Sequence, residues 1–262
     1  MKISAYSTAF NLENFKIDIN EAISNWLVYC DEVVVATTND EYKKIKDLIS
    51  SELLNKVKIV SSNINIKEDL YWDGKLKNLS LQNCSNEVVI QIDLDERISG
   101  NPEHFEICRK TILDHNFPCS VMIPTLNLYG DLDHYKDISF KWYMHTKKDT
   151  FRGAVEFAIN EDGSFDPEKS DTCELLTKDG RLAPCIAKIN YMEDQPKIIH
   201  LGTLDFSRKA HINQKFWRKV WSHRKTLSQG RDVDAEDIFT DSSEFKDTKI
   251  KHNLKIPLWP TI

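Results

Sequence analysis

Three carboxylates within four residues, Asp93, Asp95 and Glu96, follow directly on the apolar run Val88-Val89-Ile90-Gln91-Ile92. Four of those five residues are β-branched, so the run is too short for a helix and suits a strand buried on both faces. Asp93 and Asp95 then fall at its carboxyl end, which in an open α/β sheet faces the ligand crevice. Side chains two apart on an extended chain point the same way, so the pair is expected to address one point in space. Like charges so close repel, and a hard divalent cation, Mn2+ or Mg2+, relieves the conflict while leaving coordination sites for phosphate oxygens. Asp-x-Asp alone is weak evidence, because Asp131-Leu132-Asp133 and Asp232-Val233-Asp234 also occur, without a strand-like run before them.

The elements that must position these acids alternate. Residues 2–9 read as a first strand ending in the hydroxyl-rich Tyr6-Ser7-Thr8, a loop expected to touch a nucleotide. Ile19, Ala22, Ile23, Trp26 and Leu27 have helical spacing across residues 18–27, with Asp18 or Asn20 as the cap. A second buried run, 31–36, opens into Thr37-Thr38-Asn39-Asp40, whose polar groups are also expected in the crevice. Residues 41–54 read as a helix, 57–60 as a short strand, and 74–84 as a helix begun by Lys75 and Lys77. This βαβαβ order predicts parallel strands with right-handed crossovers. Neither a G-x-G-x-x-G nor a G-x-x-x-x-G-K-[ST] motif is present, so another cradle must hold any phosphate.

Asp73-Gly74-Lys75-Leu76-Lys77-Asn78-Leu79-Ser80-Leu81, followed by Ile90-Gln91-Ile92-Asp93-Leu94-Asp95-Glu96, resembles the K-N-x-A-L helix and D-x-D-E strand end of family 2-like glycosyltransferases with the GT-A fold. Ser80 stands where that family usually has Ala. A later block, Ile198-Ile199-His200-Leu201-Gly202, resembles the family's H-x-G segment, whose His completes the metal site. The resemblance implies a GT-A-like α/β domain over residues 1–225, a mostly parallel sheet with flanking helices, and a C-terminal extension, 226–262, packed on it. It also implies a hexosyl- or pentosyltransferase using a nucleotide-sugar donor. Charge builds on the β-phosphate oxygen of such a donor as the glycosidic bond breaks, and a cation held by Asp93, Asp95 and His200 would stabilise it. Donor contacts are expected from Tyr6, Ser7, Thr8, Asp40, Lys77, Asn78, Asp93, Arg152 and Arg208. An inverting enzyme needs a carboxylate base near the acceptor hydroxyl, and Glu156, Asp171 and Glu174 are the candidates.

Composition bounds the partners. The 262 residues are 40% hydrophobic, enough for one large domain, and 41 acidic against 35 basic residues give a net charge of −6. No global field therefore favours nucleic acid. Six cysteines without C-x-x-C spacing read as reduced thiols, and the absence of an apolar leader or of eighteen uninterrupted apolar residues leads to the expectation of a cytoplasmic protein. The segment 119–124 is strand-like, 125–135 loop-like and 140–144 apolar. Tyr129, Tyr135, Trp142 and Tyr143 are suited to sugar stacking, although packing is the commoner use of such aromatics. Residues 207–231 are basic, with Arg208, Arg218, Lys219, Arg224 and Lys225 beside an aromatic helical stripe of Phe216, Trp217 and Trp221. That face suits a diphosphate or an anionic acceptor. A saccharide acceptor is favoured over DNA of the kind glycosylated by phage enzymes. A nucleotidyltransferase normally shows a Gly-rich first loop, absent after Ala9, and a non-catalytic sugar-binding module is the third class.

Overall fold

Continuous β-branched runs build one side of a ten-stranded sheet. The computed structural model describes residues 2–10, 12, 17–66, 68–69, 71–128, 132–153, 160, 162, 164, 166, 169, 174–201 and 250–251. Strands β1 (Ile3–Thr8), β2 (Glu32–Thr38), β3 (Val57–Ser62) and β4 (Val88–Gln91) pair in parallel in the order β3-β2-β1-β4. Next to β4 lies β7 (His134–Thr146), antiparallel, followed by β6 (Ser120–Leu128), β11 (Lys197–His200) and β5 (Glu96–Ser99). On the flanks, β10 (Cys185–Lys188) runs parallel to β6 and β12 (Ile250–Lys251) antiparallel to β7. Eight of the ten strands share one direction, with β5 and β7 reversed. Strands β8 (Thr150–Gly153) and β9 (Glu174–Thr177) form a separate hairpin-like pair.

Four helices flank the sheet among the described residues: α1 (Ile19–Trp26), α2 (Asn39–Leu48), α3 (Trp72–Gln82) and α4 (Pro102–Leu113). The mostly parallel α/β architecture implied by the family resemblance is thus present. Asp18 caps α1, accepting from the Asn20 and Glu21 amides at 2.9 and 3.2 Å, and Ile19, Ala22, Ile23 and Trp26 are buried against Ile3, Val33, Val35 and Ile90. Cys30, Cys84, Cys108 and Cys119 are buried thiols, as small hydrophobes would be, and burial pushes Cys84 up to about 12. No helix among the described residues is long and apolar enough to cross a membrane.

Several boundaries differ from the sequence reading. Tyr6-Ser7-Thr8 end β1 as read, paired within the sheet and not forming a loop, whereas Thr37-Thr38 extend β2 beyond residue 36, because parallel pairing continues through these polar residues. The second helix ends at Leu48 rather than 54, since Ile49 leaves helical geometry at ψ 126°. Residues 125–128, read as a loop, complete β6. Strand β5 and helix α4 are additions. The start of α4 carries a legible signal, Asn101 accepting from the Glu103 amide at 3.0 Å with Pro102 in the first turn.

Helix α1 holds β5 by a side-chain ladder: Asn25 donates Nδ2–H to the Ile98 carbonyl at 3.1 Å and accepts the Ile98 amide at 2.8 Å. Asn25→Ala removes both bonds and leaves a half-buried peptide unpaired. The expected loss is about 1–3 kcal/mol, read as a lower urea midpoint with faster exchange of the Ile98 amide. An unchanged midpoint would mean that water replaces the side chain without cost.

Candidate active site

The carboxyl end of β4 does not continue as extended chain. The Glu96 amide donates to the Asp93 carbonyl at 2.8 Å, closing a tight turn over residues 93–96 before β5 departs. Asp93 and Asp95 therefore lose the same-side relation expected of a strand and face different partners. Asp93 Oδ1 receives Lys77 Nζ at 2.8 Å, whereas Asp95 Oδ2 lies 3.2 Å from His200 Nε2. Among the described residues no three His, Cys, Asp or Glu side chains gather on one point. The three-ligand arrangement expected from Asp93, Asp95 and His200 is replaced by a pair, Asp95 and His200, with Asp93 turned toward an ammonium.

Register places the pair. His200 ends β11 opposite Asn127 of β6 on one side and Glu96 of β5 on the other. The ladder runs on into the turn, because the Leu201 amide donates to the Asp95 carbonyl at 2.8 Å. His200 Nδ1 sits 2.9 Å from Asn127 Oδ1, and Asn127 in turn donates Nδ2–H to Ser139 Oγ at 3.2 Å, which orients the amide. The Nδ1 nitrogen thus donates to the amide oxygen, which leaves Nε2 facing the Asp95 carboxylate. That contact is made either by a proton on Nε2 or by a cation lying between nitrogen and oxygen. Oxygen and nitrogen at about 2.1 Å from an octahedral cation, at right angles, are about 3.0 Å apart, close to this spacing. An orienting partner on the far ring nitrogen is the usual support of a metal-binding His. Asp95 and His200 therefore fit a divalent cation.

Beside them lies a cationic wall from α3 and its neighbours. Burial alone would depress the Lys77 ammonium, but Asp73 and Asp93 outweigh it and hold it above its ordinary value. Burial raises the Asp93 carboxyl, and Lys77 and Lys141 more than reverse this, so Asp93 titrates below the usual carboxylate range. Asn78 does not face the crevice: it receives the Arg152 amide at 2.7 Å and donates to the Arg152 carbonyl at 2.9 Å, fastening β8 to α3. Arg152, 2% exposed, is placed near Lys77 by that clasp.

The remaining expected contacts differ in exposure and placement. Tyr6 and Ser7 are fully buried, and the Tyr6 hydroxyl donates to His145 Nε2 at 2.7 Å, so its phenol serves the core. Thr8 is buried at the end of β1, and Asp40 is exposed in the first turn of α2. Tyr143 is packed away from any sugar, 1% exposed, and Glu174 is half-buried at the start of β9. Glu156, Asp171, Arg208, Tyr129 and the basic segment 207–231 lie outside the described residues. Sequence reasoning missed Asn127, which a hydroxyl- and amide-bearing strand end only suggests, and the buried partners of Glu96. Glu96, fully buried, receives Tyr143 O–H at 2.6 Å and Lys141 Nζ at 3.1 Å.

No protein-family model matches the chain, and no curated protein matches it. Solved structures do. S. aureus TarS 1–349 matches over 90% of this chain and 68% of that one, at 15% identity and a TM-score of 0.41. Its complex with UDP-GlcNAc matches over 93% and 77%, at 15% identity and 0.39. HddC from Yersinia pseudotuberculosis matches over 81% of this chain and all of that one, at 11% identity and 0.43. What the site does must be read from its own residues.

The buried His145 yields a pH test. Its Nδ1 donates to the Thr146 carbonyl at 2.7 Å, leaving Nε2 to accept from Tyr6. Burial, with the Arg152 charge acting the same way, drives the imidazole from 6.5 down to about 3. Between those values the unfolded chain binds a proton that the folded chain refuses. His145 therefore contributes stability present above pH 6.5 and lost progressively as pH falls toward 3. Denaturant titrations should show a steeper loss for wild type than for His145→Gln between about pH 6.5 and 4. Parallel slopes would show that His145 protonates in the fold.

Proposed function

We propose that the chain is a metal-dependent glycosyltransferase, moving a hexosyl or pentosyl group from a nucleotide-sugar to a saccharide hydroxyl. The observation that carries this reading is the Asp95–His200 pair, its ring oriented by Asn127, at the carboxyl end of the sheet beside the Lys77–Asp93 ion pair. Asp95 and His200 would hold Mn2+ or Mg2+, which as a Lewis acid offsets charge on a diphosphate leaving group. Lys77, 4% exposed at its side chain, acts through its field, keeping Asp93 ionised and the crevice less negative. With Nε2 on the proposed cation and Nδ1 donating to Asn127, His200 would have no nitrogen left for the proton of the acceptor hydroxyl, and Glu156, Asp171 and Glu174 remain the proposed bases. The net charge of −6 favours a saccharide over DNA as acceptor, and the buried thiols suit a cytoplasmic setting.

A donor screen for nucleotide-sugar hydrolysis with Mn2+, with and without chelator, tests this directly, and UDP and UDP-sugars are the first to try. Asp95→Asn should lower turnover by about a hundredfold or more while the protein melts normally, because that side chain lies at the crevice and not in the core. Asn127→Ala, which releases the far side of the His200 ring, should weaken Mn2+ affinity by about 10–100-fold. Chelator-insensitive turnover would defeat the metal assignment. Pyrophosphate release from a nucleoside triphosphate, with no nucleotide-sugar consumed, would move the site to nucleotidyl transfer.

A further inference from the structure

Resting on the reading of Asp95 and His200 as the working pair, we propose that Glu96 is the positioning residue of this site: its buried carboxylate fixes the turn that aims Asp93 at Lys77 and Asp95 at His200. Glu96 grips Asp93 at both backbone polar atoms. Its own amide donates to the Asp93 carbonyl at 2.8 Å, and its Oε2 accepts the Asp93 amide at 2.9 Å. The other oxygen, Oε1, is itself fixed, receiving Tyr143 O–H at 2.6 Å and Lys141 Nζ at 3.1 Å. Burial, and then the Glu96 carboxylate beside it, hold the Tyr143 phenol well above its ordinary value, so it remains a donor. Thr125 donates to that phenol at 3.0 Å, tying the pair to β6, the strand that also carries Asn127.

The rest of the turn is equally occupied. Arg97 donates to the Leu94 carbonyl at 2.8 Å, Leu201 to that of Asp95 at 2.8 Å, and the Trp26 indole to that of Glu96 at 3.0 Å. Every carbonyl from 93 to 96 therefore has a donor. A fully buried carboxylate is costly unless so paired, and an apolar side chain would fill the same core more cheaply. The expense is accounted for by a task, which is to hold two neighbouring acids on different partners within a few tenths of an ångström.

Two variants and two readouts test this. Glu96→Ala frees the Asp93 amide, and Tyr143→Phe removes one anchor of the carboxylate while keeping the ring. In hydrogen exchange, the Asp93 amide should exchange about tenfold faster in Glu96→Ala and several-fold faster in Tyr143→Phe, with the amides of β2 unchanged. In nucleotide-sugar hydrolysis at saturating Mn2+, kcat should fall about thirtyfold and about fivefold respectively, with donor KM held within twofold. If Glu96→Ala does not fold, the isosteric Tyr143→Phe decides. Variants that melt earlier but keep full kcat per folded molecule, or leave the Asp93 amide as protected as in wild type, overturn the proposal and leave Glu96 a core residue only. Should wild type hydrolyse no nucleotide-sugar, the glycosyltransferase reading fails, and the exchange experiment still judges the turn.

Discussion

Gln91 ends β4 and Glu96 begins β5, yet β7, β6 and β11 lie between those two strands in the sheet. In a flat sheet four strand spacings would separate them by about 19 Å. A hydrogen-bonded turn from Asp93 to Glu96 brings its own ends within about 7 Å. The sheet must therefore curl until its β5 edge returns to the end of β4. That closure makes the crevice: it carries His200 and Asn127, which are remote from Asp95 along the chain, onto the residues just past β4. The turn at 93–96 is the point where the closure is pinned, and the site inherits its geometry from it.

Charge is distributed around this pin in pairs, each with at least one partner buried. Lys77 meets Asp93, Lys141 meets Glu96, and Arg97 meets Glu21 of α1, with Arg97 Nε donating to the Glu21 carboxylate at 2.6 Å. Such pairs contribute little net stability against apolar substitutes, but taking the partner from a buried charge is severe. Such an arrangement favours a single geometry over a slack one. The asparagines extend the same logic to the backbone, Asn25 and Asn78 each substituting a side-chain amide for a missing neighbouring strand.

Much of this was legible in the residues. Val33-Val34-Val35-Ala36 and Val88-Val89-Ile90 declare buried strands, and Ile19, Ala22, Ile23 and Trp26 declare the inner face of α1. His200 was reached only through its resemblance to a later family block, a hundred residues from Asp95. What local pattern could not show is the turn itself: Asp93 and Asp95 satisfy the two-residue period of a strand, and only the long-range ladder from Leu201 to Asp95 reveals that the chain reverses there. Glu96 and Lys77 look like solvated charges by type, because burial of a paired charge depends on partners, Tyr143 and Asp93, that no local window contains. Tyr6 reads as a loop hydroxyl for the same reason, since its acceptor His145 lies far along the chain.

On the proposed function, Asp95 and His200 would share one divalent cation. Pulsed electron paramagnetic resonance of the protein loaded with a single equivalent of Mn2+ addresses it most directly, because a coordinated imidazole nitrogen modulates the echo. Wild type should show one directly bound nitrogen, and that modulation should vanish in His200→Ala while remaining in His145→Gln. Mn2+ bound through oxygen and water alone in the wild-type protein, or a nitrogen signal that survives His200→Ala, would contradict the account.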